Sequence, residues 1–150
     1  MIEVYKLDKD AKLPTRAHNS DAGLDLFANE TVYLELGSTN TISTGIAIHI
    51  APGSMGKIED RSSLASKGLR TGGGIVDSGY SGEVKVVIHN FSANTSRIYG
   101  AGKENTGMWI QKGDKIAQLV ISKIEIAPVI ETTILWDSPR SNKGFGSSGK

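Results

Sequence analysis

The sequence predicts an all-β domain, a sandwich or barrel, on three observations. Apolar residues recur with period two far more often than with the helical period. The alternating runs are short and are separated by clusters of Gly, Pro, Asn and Ser. Only one segment carries the punctuation of a helix at both ends. With 150 residues, 38% of them hydrophobic, the chain fits one domain long enough to bury a core without staples.

Taken in order, TVYLEL alternates Val32, Leu34 and Leu36 against Thr31, Tyr33 and Glu35, and Gly37 ends it. GIAIHI sets Ile46, Ile48 and Ile50 against Ala47 and His49 before APG breaks the run. RSSLASKGL is the helical exception: Ser62 or Ser63 can cap its start and Gly68 can close it after one or two turns. EVKVVIHN places Val84, Val86 and Ile88 on one face, with Lys85, Val87 and His89 on the other. Residues 91–112 read as a long hairpin or loop with a strand at each end. KIAQLVISKIEI and PVIETTIL continue the strand pattern. About ten segments of this kind fit an all-β class. The division that follows is a β-domain over residues 1–137 and a flexible C-terminal arm over 138–150. Phe145 is the arm's one core-forming side chain.

Composition removes several function classes. The chain has no cysteine, so disulfides and thiolate metal sites are excluded. Its 17 basic and 16 acidic residues leave a net charge of +1, without the basic excess of a sequence-independent nucleic-acid binder. No run approaches a membrane span, and the opening MIEVYKLDKDAKLP has no signal-peptide core. The expectation is a soluble protein that engages neither nucleic acid nor membrane, in the cytoplasm by default and in the nucleus as the alternative for a eukaryotic or viral source. His18, His49 and His89 lie far apart in sequence and do not form a zinc motif.

Five short stretches combine residues that carry chemistry, and each also has a plain structural reading. SDAGLDL puts Asp21 and Asp25 around a glycine, suited either to a magnesium water shell or to turn chemistry. In DRSSLASKG, Arg61 precedes two serines where free N–H groups attract anions, or where a serine merely caps. GGGIVDSGYSGEV sets Asp77 and Tyr80 on bare backbone. That suits a general base beside a flat ligand read by main-chain groups, and equally a hairpin turn. KGDKIAQLV leads a Gly-Asp turn into a strand with Gln118 at an interior position. GFGSSGK fits parts of two nucleotide-binding patterns but lacks the flanking strand and helix both require. Its glycines and hydroxyls still suit a polyphosphate.

Together these stretches resemble the homotrimeric deoxyuridine triphosphate nucleotidohydrolases, the dUTPases. The pieces are SDAGLDL (20–26), GKIEDRSSLASKG (56–68), GGGIVDSGYSGEVKV (72–86), KGDKIAQLV (112–120) and RSNKGFGSSG (140–149), in order and at nearly the family spacing. The resemblance implies a jelly-roll-like β-barrel or sandwich subunit with one short helix. It implies hydrolysis of dUTP to dUMP and pyrophosphate by water attack on the α-phosphorus, which lowers dUTP and supplies dUMP for thymidylate synthesis. Asp77 would be the general base. Gly74, Ile75, Val76 and Lys85 would meet the uracil base and sugar, with Tyr80 excluding a 2′-hydroxyl and Phe145 stacking on the base. Arg61, Ser62, Ser63 and Gln118 would hold phosphates, and Arg140, Gly146, Ser147 and Ser148 would close over them. The implied cofactor is magnesium (Mg2+), met by Asp25 through water. Each site would be shared. Stretches 20–26, 56–68 and 112–120 would come from one subunit, 72–86 from a second and the arm from a third.

Two features depart from the family pattern. Ser141 stands where a glycine usually follows the arm's arginine, and the 91–112 region is longer by a few residues. Two other readings stand beside the first: a dCTP deaminase of the same fold, and a non-catalytic β-trimer used for binding.

Overall fold

The structure, a computed structural model, describes residues 2–92 and 107–137. The elements are β1 (Glu3–Lys6), β2 (Gly23–Phe27), β3 (Val32–Glu35), β4 (Thr39–Ser43), β5 (Ile46–His49), β6 (Ser54–Glu59), α1 (Ser62–Ala65), β7 (Leu69–Gly72), β8 (Ile75–Asp77), β9 (Lys85–Asn90), β10 (Gly107–Ile110) and β11 (Lys115–Lys123). The expected all-β class with one short helix is what these residues form.

All strand pairs are antiparallel. They make a four-stranded sheet β2-β11-β6-β8, a three-stranded sheet β4-β9-β7, and the two-stranded pairs β1-β5 and β10-β3. Every sheet gives side chains to one buried cluster, including Leu26, Leu34, Ile42, Ile46, Ile88 and Leu119. Each such side chain stabilises the fold by roughly 1.5–3 kcal/mol on burial. The alternation in GIAIHI and EVKVVIHN has its expected cause: Ile46, Ile48, Ile50, Val84, Val86 and Ile88 are all buried.

Four details differ from the sequence reading. The N-cap residue of α1 is Arg61, with no side-chain cap bond from a serine. Arg61 instead turns its side chain toward Asp25. In β11, Ile116 and Ala117 are both buried although adjacent. A bulge between Lys115 and Ala117 breaks the alternation, because one extra residue opposes β2 there. Leu36 is exposed because β3 ends at Glu35. Residues 124–137, including PVIETTIL, form no strand. Their period-two pattern finds no ladder partner among the described residues, and a lone strand leaves its backbone groups unpaired. Of the long region 91–112, β10 supplies the expected strand at the far end, and residues 93–106 lie outside the described residues.

β11 positions the site. It runs between β2 and β6, so Gln118 lies opposite Asp25 on one side and Glu59 on the other. Among the described residues β8 is an edge of the same sheet, paired with β6 alone.

Candidate active site

Two clusters hold the candidate residues. The first gathers around Asp25 on β2, a carboxylate only 4% exposed. Its Oδ1 accepts from Arg61 Nε at 3.1 Å, and its Oδ2 faces Lys115 Nζ at 2.7 Å. Burial pushes the Asp25 carboxyl up, but the bond from Lys115, the nearby Arg61 and a bond from Gln118 outweigh it and hold the group below its ordinary value. Arg61 Nη1 also donates to Ser63 Oγ and to the Lys115 carbonyl, each at 3.3 Å. Asp25, Arg61, Ser62, Ser63 and Gln118 are thus brought to one place by β2, β11 and the start of α1. The result is a set of N–H and O–H donors with excess positive charge, suited to phosphate oxygens.

The loop carrying Arg61 is braced from behind. Asp60 accepts from Thr71 N at 2.7 Å, from Thr71 Oγ1 at 2.8 Å and from Arg70 Nη1 at 2.8 Å. Burial raises the Asp60 carboxyl, and these three bonds more than offset it, leaving it below its ordinary value. Asp60 therefore ties the loop to β7, the strand that leads into the glycine turn.

The second cluster lines a cavity of about 220 Å³ bounded by Ile58, Gly73, Ile75, Val76, Asp77, Tyr80, Glu83, Val84 and Lys85. The turn into it needs glycine at Gly74, where a Cβ would lie 2.6 Å from the Ile58 carbonyl oxygen. That contact accompanies the bond from Ile58 N to Gly74 O. Because β8 is an edge strand, alternate backbone N–H and C=O groups at Ile75 and Val76 point away from β6. Asp77 is exposed at the end of β8, and its carbonyl accepts from Tyr80 N at 3.0 Å in the following turn. Tyr80 is 48% exposed, and its hydroxyl donates to the Glu83 carbonyl at 2.9 Å.

Glu83 and Lys115 are the two site residues that the sequence reading missed. The Glu83 carboxylate accepts from Gly45 N at 2.8 Å and from Ser43 Oγ, and pairs with Lys85 Nζ at 3.5 Å. Burial raises its carboxyl, and the bonds from Ser43 and Gly45 with the nearby Lys85 overcome that. It pins the Tyr80 turn to the start of β5. The available signals were Glu83 two residues before Lys85, and a cation three residues before Gln118 in GDKIAQ.

Within one chain Asp77 stands apart from the Asp25–Arg61 cluster. Asp77 lies opposite Met55, whereas Gln118 lies opposite Glu59. Those positions are four residues apart on β6, about 13 Å at the strand rise, and Arg61 lies two residues further on. Phe145, Arg140, Gly146, Ser147 and Ser148 lie outside the described residues.

For a divalent cation the fit is limited. Both Asp25 oxygens already face cations, so direct ligation would displace one of them. Among the described residues no group of three or more His, Cys, Asp and Glu side chains is placed to hold a metal. What fits is an outer contact, through water, to an ion carried by a ligand. No helix among the described residues is long and apolar enough to cross a membrane.

Comparison with known proteins follows the same lines. The family model described as dUTPase matches residues 9–149. The deoxyuridine 5′-triphosphate nucleotidohydrolase of Thermobifida fusca is 41% identical over 151 residues, covering 99% of this chain and 78% of the relative. A dUTPase variant of Staphylococcus bacteriophage 80alpha, solved with dUpNHpp, superposes with a TM-score of 0.85 at 31% identity, covering 100% of this chain and 99% of the other. A dUTPase variant from phage phi11 of S. aureus, solved to detail the coordination of a structural Mg(II) ion, gives 0.76 at 31% identity, covering 89% and 97%.

Proposed function

The chain belongs to the dUTPase family, and on that premise we propose that it hydrolyses dUTP to dUMP and pyrophosphate. Water attacks the α-phosphorus. Its proton passes to the Asp77 carboxylate, its oxygen bonds to phosphorus, and the bond to the bridging oxygen of the β-phosphate breaks, so that pyrophosphate leaves. A positioned base of this kind contributes on the order of 100- to 10,000-fold; the remainder comes from orientation and charge.

The backbone along Gly74, Ile75 and Val76 reads the polar edge of uracil, which the free edge of β8 supports. Tyr80 packs against the deoxyribose, and Lys85 lines the same cavity. Arg61, Ser62, Ser63 and Gln118 hold phosphate oxygens. The arm over 138–150 closes the site with Arg140, Gly146, Ser147 and Ser148 on phosphates and Phe145 on the base. Asp25 would meet a triphosphate-borne magnesium ion through water, and the ion when bound would supply charge neutralisation on the phosphates.

The observation that carries the shared-site reading is the register that separates Asp77 from the Asp25–Arg61 cluster. A base and a phosphate clamp held that far apart serve one substrate only when neighbouring subunits bring them together. A homotrimer meets this need. Residues 124–137 add support. Ile126, Val129, Ile130, Ile134, Leu135 and Trp136 are each at least three-quarters exposed, and six exposed large apolar side chains within eleven residues call for a covering surface.

The test is hydrolysis in water labelled with heavy oxygen. The proposal expects label in the phosphate of dUMP and none in pyrophosphate. Label in pyrophosphate would place the attack elsewhere, and ammonia released from dCTP would favour the deaminase reading.

A further inference from the structure

We infer that Lys115 is a phosphate-contacting cation of this site, held in place by Asp25. The inference rests on the dUTPase reading and names a residue that reading does not use. Three observations carry it.

First, the local charge does not balance. One buried carboxylate, Asp25, faces two cations, Arg61 at 3.1 Å and Lys115 at 2.7 Å. One cation suffices to neutralise one carboxylate, so the cluster keeps an excess positive charge. Water reaches the Lys115 end of the cluster, and an anion arriving there finds a positive charge that Asp25 alone does not cancel.

Second, the two cations differ in access. The Lys115 side chain is 40% exposed, whereas that of Arg61 is 24% exposed and also occupied by Ser63 and the Lys115 carbonyl. An ammonium has three N–H donors. One points to Asp25, and among the described residues two remain for oxygens arriving from solvent.

Third, the placement is built into the backbone. The β-bulge between Lys115 and Ala117 re-aims the side chain at the start of β11, and the bond from Arg61 Nη1 fixes the Lys115 carbonyl. Gln118, on the same strand, faces the same Asp25.

The ammonium occupies one of the two Asp25 oxygens, Oδ2. Part of the charge that meets the triphosphate therefore comes from the protein, in a form that chelators do not remove.

The experiment compares the full-length chain with Lys115→Met and Lys115→Arg. It measures KM and kcat for dUTP, and calorimetric affinity for the imido analogue dUpNHpp and for dUMP. Loss of one charge-assisted bond corresponds to roughly ten- to a hundredfold in affinity. Lys115→Met is expected to raise KM and weaken the analogue by that factor. Its effect on kcat and on dUMP should be smaller, because dUMP lacks the outer phosphates. Lys115→Arg should restore most of the loss. The inference is overturned if Lys115→Met binds the analogue as the unaltered chain does. It is equally overturned if dUMP and the analogue weaken in parallel with a loss of thermal stability, the pattern of a purely structural residue. Failure of the unaltered chain to turn over dUTP would be a separate result, and would strike the functional reading itself.

Discussion

Asp77 lies opposite Met55 across the β8–β6 ladder, and that register sets its carboxylate at the far end of β6 from Arg61. The distance is fixed by strand geometry and by Gly74, which seats the turn against Ile58. Two variants, each lacking one half of the site, should therefore complement each other. Asp77→Asn and Arg61→Ala assemblies are expected to be nearly inactive alone. Unfolded together and refolded as mixtures, they should regain dUTP turnover, because some sites then receive an intact half from each parent. Activity that stays at the parental level in mixed assemblies, verified by sedimentation, would show that each chain holds a complete site.

Removing the Asp25 carboxylate should cost stability as well as substrate affinity. Breaking a fully buried pair typically costs about 3–5 kcal/mol. The partners here retain partial access to water, so Asp25→Asn is expected to fall below that range in urea unfolding. The same variant should raise KM for dUTP, since Arg61 and Lys115 lose the anion that holds them. An unchanged KM would mean that the ion pairs serve folding alone.

The pH dependence of stability follows from three carboxylates. Asp25, Asp60 and Glu83 ionise below their ordinary values of 3.8, 3.8 and 4.5 in the folded chain. Each adds stability that is complete above its ordinary value and is lost as pH falls through its lower folded value. Urea midpoints should accordingly hold from neutral pH down to the ordinary carboxylate values and fall as the pH drops below them. Asp60→Asn should flatten that fall, because position 60 then no longer titrates: the amide oxygen can still accept from Thr71, while the bond from Arg70 is lost at every pH. A slope identical to that of the unaltered chain would remove Asp60 from the set.

Sugar discrimination should reside in the ring of Tyr80 rather than in its hydroxyl, which is engaged by the Glu83 carbonyl. Tyr80→Val should raise turnover of UTP relative to dUTP by about tenfold or more, the scale of a lost steric contact in a pocket. Tyr80→Phe should keep the discrimination. Equal ratios in all three proteins would contradict a steric test.

Much of this was legible in the sequence, and the exceptions share a cause. Alternation in Ile46, Ile48 and Ile50 named the buried face correctly, because side-chain direction in a strand is set locally. Alternation could not say whether a strand finds a partner, so residues 124–137 carried the pattern of a strand without forming one. Gly72, Gly73 and Gly74 marked the bare turn, and Asp77 and Tyr80 stood out beside it. Lys115 and Glu83 did not, because what distinguishes them is the long-range contact to Asp25 and to the start of β5. The bulge in β11 left no composition cue, having neither glycine nor proline at Lys115, Ile116 or Ala117. Ser62 matched the preferred capping chemistry, but Arg61 holds the N-cap position and its side chain reaches Asp25 from there.

The most direct measurement is single-turnover hydrolysis of dUTP by Asp77→Asn beside calorimetric binding of dUpNHpp. The rate should fall by at least about a hundredfold, with analogue affinity close to that of the unaltered chain. A near-normal rate would contradict it, because the proton from the attacking water would then be going to some group other than Asp77.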